Sequence, residues 1–404
     1  MALFQLLDLQ LHNANETTFA VNLGDSFSAR SIRAVNSPVL TPAQVVVDNP
    51  ALRQRLARQL GPILGLKNTS KLTFATALRG TGTAAHTGVT ALGAADLAEG
   101  QLLANAFGGE SLGDGTVVDD VAATSTSIEV ADASGLAEGQ AILVLVGDGY
   151  EASVIGDITT NTLTLTRALS AAPDNGAIVH AAATYYPAES LPGTLQFQTI
   201  GAESTDGYHR LLGCTSTMKL GNLAPGQLPQ CSWDVMSADW QKYSSATLSS
   251  ATYSNTVNAS VPGLASSLFI ADSGSTTRTL VHCSAVSIDP GLGVEKIASV
   301  SGTQGLQGYA RSGIAPTFDF TIYPFGDAWH DDFSAETAKT IHYQIGSTPG
   351  ATILIEIQNA VISEVPSRAA VGKQVGTKIK GYGLEDTTIG TGDLARASVR
   401  LHLL

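Results

Sequence analysis

Apolar and polar residues alternate with a period of two over much of this chain, the spacing of a strand with one face on a core. Thr194–Ile200, Thr317–Ile322 and Thr352–Gln358 alternate cleanly, Lys71–Leu78 does so in part, and Ser398–Leu404 is of the same type. Helical spacing is rarer. Leu52, Leu56, Leu60 and Leu64 recur at i+4 behind Asn49 as N-cap and Pro50 at the first helical position, with Gly61–Pro62 as the stop. Arg53, Arg55 and Arg58 lie off that stripe, a basic face that reads as solvated or subunit-contacting, with nucleic acid as the other use. A shorter helix is predicted near Asp96–Phe107, ended by Gly108–Gly109, and a third after Trp329.

The texture changes between Gly113 and Ala183. Ala122–Val130, Gln140–Val146, Ala152–Ile155 and Asn161–Thr166 are short strand patterns, separated by turn signals at Asp132–Gly135, Gly147–Gly149 and Pro173–Gly176. Such spacing predicts a small sandwich or barrel, inserted into the rest. Ser244–Ser267, rich in Ser, Thr, Asn and Ala, predicts a linker or long loop. On either side of it lie two related segments. Cys214–Leu220 precedes Pro229–Val235 and Trp240, and Cys283–Ile288 precedes Pro316–Ile322 and Trp329. From each proline, apolar residues fall at +2, +4 and +6: Cys231, Trp233 and Val235, then Phe318, Phe320 and Ile322. The alternation beside the two cysteines is out of phase by one, and the second connection is the longer, with six glycines in Gly291–Ala315. Two similar halves are the better reading. The boundaries are 1–112 with 184–250 for the first half, 113–183 for the module and 251–404 for the second half.

Composition narrows the class of partner. Only 14% of the 404 residues are charged, with 22 Lys+Arg against 35 Asp+Glu, a net −13. A basic nucleic-acid binder is excluded, because phosphate neutralisation would need the opposite balance. Low charge with 44% apolar content also argues against disorder. The module carries ten acids against the single base Arg167, nine of the thirteen net negative charges, so the acidity is local. No leader pattern opens the chain, and no apolar run approaches the length of a membrane helix.

The search for chemistry assigns no catalytic, cofactor-binding or metal residues, and neither an enzyme nor a cofactor is expected. Walker A, HExxH, EF-hand and GxSxG patterns are absent, and Gly80–Ala85 is at most a weak variant of a dinucleotide loop. His330, Asp331, Asp332 and Glu336 could bind a divalent ion, but consecutive residues seldom converge on one ion, and a polar turn or helix start explains them. Asp148, Glu151 and Asp157 read as turn residues before they read as a calcium loop. Trp233, Trp240 and Trp329 are expected in the core rather than stacked on sugar or bases, and Cys214, Cys231 and Cys283 as small buried hydrophobes.

The paired segments resemble the tail tube, or major tail, proteins of long-tailed bacteriophages. The resembling residues are Leu195–Ile200, Leu211–Leu220, Pro229–Val235 and Gly346–Val361, and Thr124–His180 is similar to small β modules inserted in phage structural proteins. The resemblance covers 65–404 in texture and order, without one diagnostic motif. It implies a mainly β fold of sandwich or barrel halves with one or two flanking helices and an added β module. It also implies rings of three or six chains, stacked into a tube in the virion tail and assembled in the host bacterial cytoplasm. DNA would pass through the lumen without sequence-specific binding, and a terminator, tape measure and baseplate would be the other partners. No membrane is involved. The alternatives are a capsid decoration protein, a tail terminator or baseplate ring, and a glycan-cleaving virion enzyme. The glycine-rich stretch Gly291–Ala315 is expected to be a loop that reaches an adjacent ring and orders there, and the module is expected to face outward.

Overall fold

A computed structural model describes residues 10–16, 19–20, 30–32, 34–36, 38–41, 46–47, 63–64, 70–81, 99–189, 191, 193–200, 208–224, 226–243, 266–277, 279–323, 328–371, 374–385 and 392–404. The expected helix over Asn49–Pro62 lies outside these residues, as does the expected linker Ser244–Ser267 except for Ser266 and Ser267, which open a strand instead.

Alternating sequence becomes antiparallel strand throughout, and the fold is mainly β. The first stretch holds β1 (Gln10–Asn15), β2 (Arg30–Ile32), β3 (Val39–Thr41), the short pair β4 (Val46–Val47) and β5 (Ile63–Leu64), and β6 (Lys71–Ala77). Leu64, expected on a helical stripe, is therefore in a strand, paired with Val46. Helix α1 (Gly100–Phe107) follows, closed by Gly108 at φ +96°, a conformation that glycine adopts without steric cost. After the module come β15 (Leu195–Ile200), β16 (Tyr208–Gly221), β17 (Gln230–Met236) and β18 (Asp239–Tyr243). Strands β1, β15, β16, β17 and β6 pair in that order, and β18 adds to β16. The ring closes because the chain from β2 to β3 pairs first with β1 and then with β6, through the Ala34–Thr76 bridge and the Val39–Thr73 register.

The second stretch builds a ring of the same pattern. Its strands are β19 (Ser266–Asp272), β20 (Leu280–Asp289), the hairpin β21 (Leu292–Thr303) and β22 (Leu306–Ile314), and β23 (Thr317–Tyr323). Helix α2 (Ala328–Ser334) leads to β24 (Lys339–Ile345), β25 (Ile353–Ile362), β26 (Ser367–Val371) and β27 (Gln374–Leu384), then α3 (Asp393–Arg396) and β28 (Arg400–Leu403). Pairing runs β24, β19, β20, β23, β27, and the chain from β25 to β26 closes it by pairing first with β24 and then with β27.

Two apolar faces meet in one core. Phe74, Phe197, Trp233, Phe320, Tyr343 and Ile355 belong to the same buried cluster, which α1 covers with Leu102, Leu103 and Phe107. The one-residue phase difference beside the cysteines has a physical cause: a β-bulge between Cys283 and Ala285, absent from the β16–β17 ladder. Beyond the bulge the halves agree, since Met218 pairs with Trp233 as Val286 pairs with Phe320.

The module is a small barrel of β8 (Thr116–Val117), β9 (Ser127–Glu129), β10 (Ala141–Val146), β11 (Gly149–Thr159), β12 (Thr162–Leu165) and β13 (Ile178–Ala181). A Val118–Val130 bridge closes it, and Ile128, Ile142, Val144, Ile155, Leu163 and Val179 fill it. The flanking strands β7 (Gly108–Leu112) and β14 (Ala183–Pro187) pair with each other, and β14 pairs with β28 of the second sheet.

Gly291–Ala315, expected to be a loop ordered by a neighbour, is instead the β21–β22 hairpin, docked on its own chain. Gln304 and Gly305 both have positive φ, as a two-residue hairpin turn with right-handed strands requires. Gly305 sits at that turn and Gly291 at the base, where its φ is +63° and a Cβ would clash with the Ala315 carbonyl oxygen.

Candidate functional site

The residues singled out for chemistry do not converge. Asp332 is held by Lys339 at 2.7 Å, which also reaches Asp272 at 2.6 Å, so this carboxylate anchors α2 to β24. Among the described residues, no group of three or more His, Cys, Asp or Glu side chains could hold a metal ion. Glu151 accepts hydrogen bonds from the backbone and hydroxyl of Ser170, nineteen residues on, and Asp157 accepts from Thr159 in a local turn contact. Trp233 is in the core, its indole donating to Thr76 at 2.9 Å and its ring stacked on Phe74. Trp240 and Trp329 are partly buried against the same cluster. Cys214 and Cys231 are buried and Cys283 half-buried, none in a disulfide. Burial pushes all three thiols up, away from the reactive thiolate.

What the fold does assemble is a buried polar cluster and a clasp. Glu356 on β25 pairs with Arg400 on β28 at 2.6 Å, with His342 on β24 at 3.3 Å and His402 at 3.6 Å, all four fully buried. Arg400 also donates to the Leu394 and Ala395 carbonyls, tying α3 to the sheet, and Thr184 on β14 contacts the other His402 ring nitrogen at 2.8 Å. Burial pushes the Glu356 carboxyl up, but Arg400 and the two imidazoles outweigh it and hold it at about 2. Burial lowers His342 to about 3, so its ring is neutral beside the carboxylate at neutral pH.

The clasp is the hairpin. Arg311 on β22 donates to the Ala106 and Phe107 carbonyls at 2.9 and 2.5 Å and to Ala188, capping the negative end of α1. Burial lowers its guanidinium to about 10, still charged at neutral pH. Tyr309 donates to the Gly213 carbonyl at 2.7 Å, with its ring edge-on to Phe19, and Leu306 packs with Ala20, Leu212 and Ala238. The second half thus grips the first. Val300, near the tip, is fully exposed and Ile297 is exposed too.

Glu356, Arg400 and His402 sit in strands whose alternation predicts one face on the core and leaves the other to solvent or a partner, so the pattern alone does not single them out. The only signal was charge inside strongly apolar runs. No protein-family profile matches the chain, and no curated protein matches it. No helix among the described residues is long and apolar enough to cross a membrane.

Proposed function

We propose that this chain is a structural, self-assembling protein of a phage tail tube, with no catalytic role. One observation carries the reading: the chain contains the same six-membered strand ring twice. Strands β1, β2–β3, β6, β15, β16 and β17 correspond to β24, β25–β26, β27, β19, β20 and β23, and every pairing within the first ring has its counterpart in the second. Even the irregularity is shared. The register along β6 shifts by two residues between Ala34–Thr76 and Val39–Thr73, as it does along β27 between Ile362–Gly381 and Ser367–Lys378.

A chain with two equivalent rings supplies two ring positions, so three chains make six. That favours a ring of three over a ring of six. Stacking needs a second contact that does not close on itself. The exposed outer half of the β21–β22 hairpin suits it, with two strand edges unpaired among the described residues and Val300 at the tip. The acidic module is placed outside, where bulk does not obstruct a lumen. DNA would pass without sequence-specific contacts, and terminator, tape measure and baseplate proteins would meet the tube ends. Native mass measurement of the assembled protein tests the count: three chains per ring supports the reading, and six contradicts the equivalence of the halves.

A further inference from the structure

A polar cavity lies between the module and the second ring. Leu143, Val154 and Ala182 of the module region pack with Leu354 and Leu404, and the Ala168 N–H donates to the Thr276 carbonyl at 2.9 Å. The Arg167 guanidinium lies 4.3 Å over the Phe269 ring and reaches the Gln344 side chain. The cavity holds about 200 Å³, solvent at its mouth included. Its polar wall is Thr166 and Arg167 from the module, Ser275 and Thr277 from the β19–β20 turn, and Thr340 and His342 from β24. No carboxylate of the described residues lines it.

This lining offers both donors and an acceptor. Arg167, 2% exposed, is a buried cation whose planar fork matches an oxyanion. Thr277 Oγ1 accepts from the Ser275 hydroxyl at 2.9 Å and keeps its own proton to give. The buried Thr166 hydroxyl has no hydrogen-bond partner among the described residues, whereas Thr340 already donates to the Gln358 carbonyl. His342 is the acceptor. Its Nε2 lies 3.3 Å from the ionised Glu356 carboxylate and carries the ring proton, so Nδ1 presents a lone pair. That atom is buried and has no hydrogen-bond partner among the described residues, a costly state that calls for an occupant able to donate to it. Glu356 is matched by Arg400 at 2.6 Å, and Asp272, next to the turn, by Lys339 at 2.6 Å, so both carboxylates are neutralised locally.

The occupant must accept from a guanidinium and hydroxyls and donate to an imidazole. At neutral pH a halide or sulfate has no proton to give, and hydrogen phosphate has one. Water also donates and accepts, but it brings no charge to the buried guanidinium, and the experiment separates the two. We propose that this cavity is a phosphate site: one inorganic hydrogen phosphate ion, held by Arg167, Thr166 and Thr277 and donating its O–H to His342 Nδ1, pins the module to the second ring. The site belongs to the single chain and does not depend on assembly.

Calorimetric titration of the whole chain near neutral pH, with inorganic phosphate and with sulfate at equal ionic strength, tests it. Phosphate is expected to bind saturably, one ion per chain, about tenfold or more tightly than sulfate, because a site that accepts from an O–H rejects the ion lacking it. The melting midpoint should rise as the site fills. Thr166→Val/Thr277→Val, which keeps shape and removes both hydroxyls, is expected to weaken phosphate binding by about tenfold or more. Thr159→Val, elsewhere on the module, should leave it unchanged. Arg167→Gln is expected to abolish binding, and if that variant does not fold the threonine variant decides alone. Absence of saturable binding, equal binding of sulfate, or unchanged affinity in the threonine variant overturns the proposal. A melting shift that both anions produce equally and without saturation is a general salt effect over a water-filled cavity, and overturns it too. None of these readouts needs rings or tubes, so a failure of the assembly reading leaves the site standing.

Discussion

Removing the carboxylate of Glu356 would strand the Arg400 guanidinium in a core where both are fully buried. Glu356→Gln is therefore expected to cost about 3–5 kcal/mol, read as a large fall in denaturation midpoint. A loss below about 1 kcal/mol would mean that Arg400 is satisfied by the α3 carbonyls alone. The same cluster sets a pH dependence. His342 titrates near 3 in the fold, below its ordinary 6.5, so its contribution is whole above 6.5 and erodes as pH falls towards 3. Glu356 is held at about 2 against an ordinary 4.5, so its contribution is lost as pH falls from 4.5 to 2. Both act in one direction, and thermal melts should decline from about pH 6.5 downward and steepen below about pH 4.5. Greater stability at about pH 4 than at about pH 7 would contradict the assignment. The alternation of Thr352–Gln358 made Ile353, Ile355 and Ile357 legible as core, but not the burial of Leu354, Glu356 and Gln358. That second face is covered by residues distant in sequence, which a local period does not reveal.

The hairpin is the element on which assembly most depends in this account. Among the described residues it forms no ladder outside itself, and it is held by Arg311, Tyr309 and Leu306. Arg311→Ala removes a donor from the Ala106, Phe107 and Ala188 carbonyls, of which Phe107 still accepts from the Ala188 N–H, at a cost of about 1–3 kcal/mol. The expected readout is faster proteolysis within 292–314 while both rings keep their fold, and unchanged cleavage would show that the clasp does not depend on this cation. Val300→Asp should leave single rings intact and block their stacking; stacked tubes from the variant would move the ring-to-ring contact elsewhere. Six glycines concealed this element in the sequence. The usable signal was Gln304–Gly305, a turn pair between two stretches of β-formers, with the remaining glycines spent at the base and along the strands.

Across the whole molecule, the duplication was only partly legible. The Cys and Pro segments revealed β16–β17 and β20–β23, because those strands follow each other in the same order in both halves. Three of the other four ring positions are permuted: β1 to β6 precede β15 to β17, whereas β24 to β27 follow β19 to β23. A repeat sought along the chain therefore loses those three positions, although every pairing of the first ring recurs in the second. The module was legible from its turns, and Gly147 and Gly149 at its β10–β11 turn have open space beside them. An affinity tag inserted at Asp148 should leave assembly intact and decorate the outer wall; tubes that form but hide the tag would place the module inside. The most direct test of the central claim is electron microscopy of the purified protein with rotational averaging of end-on views. The expected result is rings, alone or stacked into tubes, built from three chains with six similar lobes around an open bore. Single chains under every condition of concentration and salt, or rings without a sixfold arrangement of lobes, would contradict it.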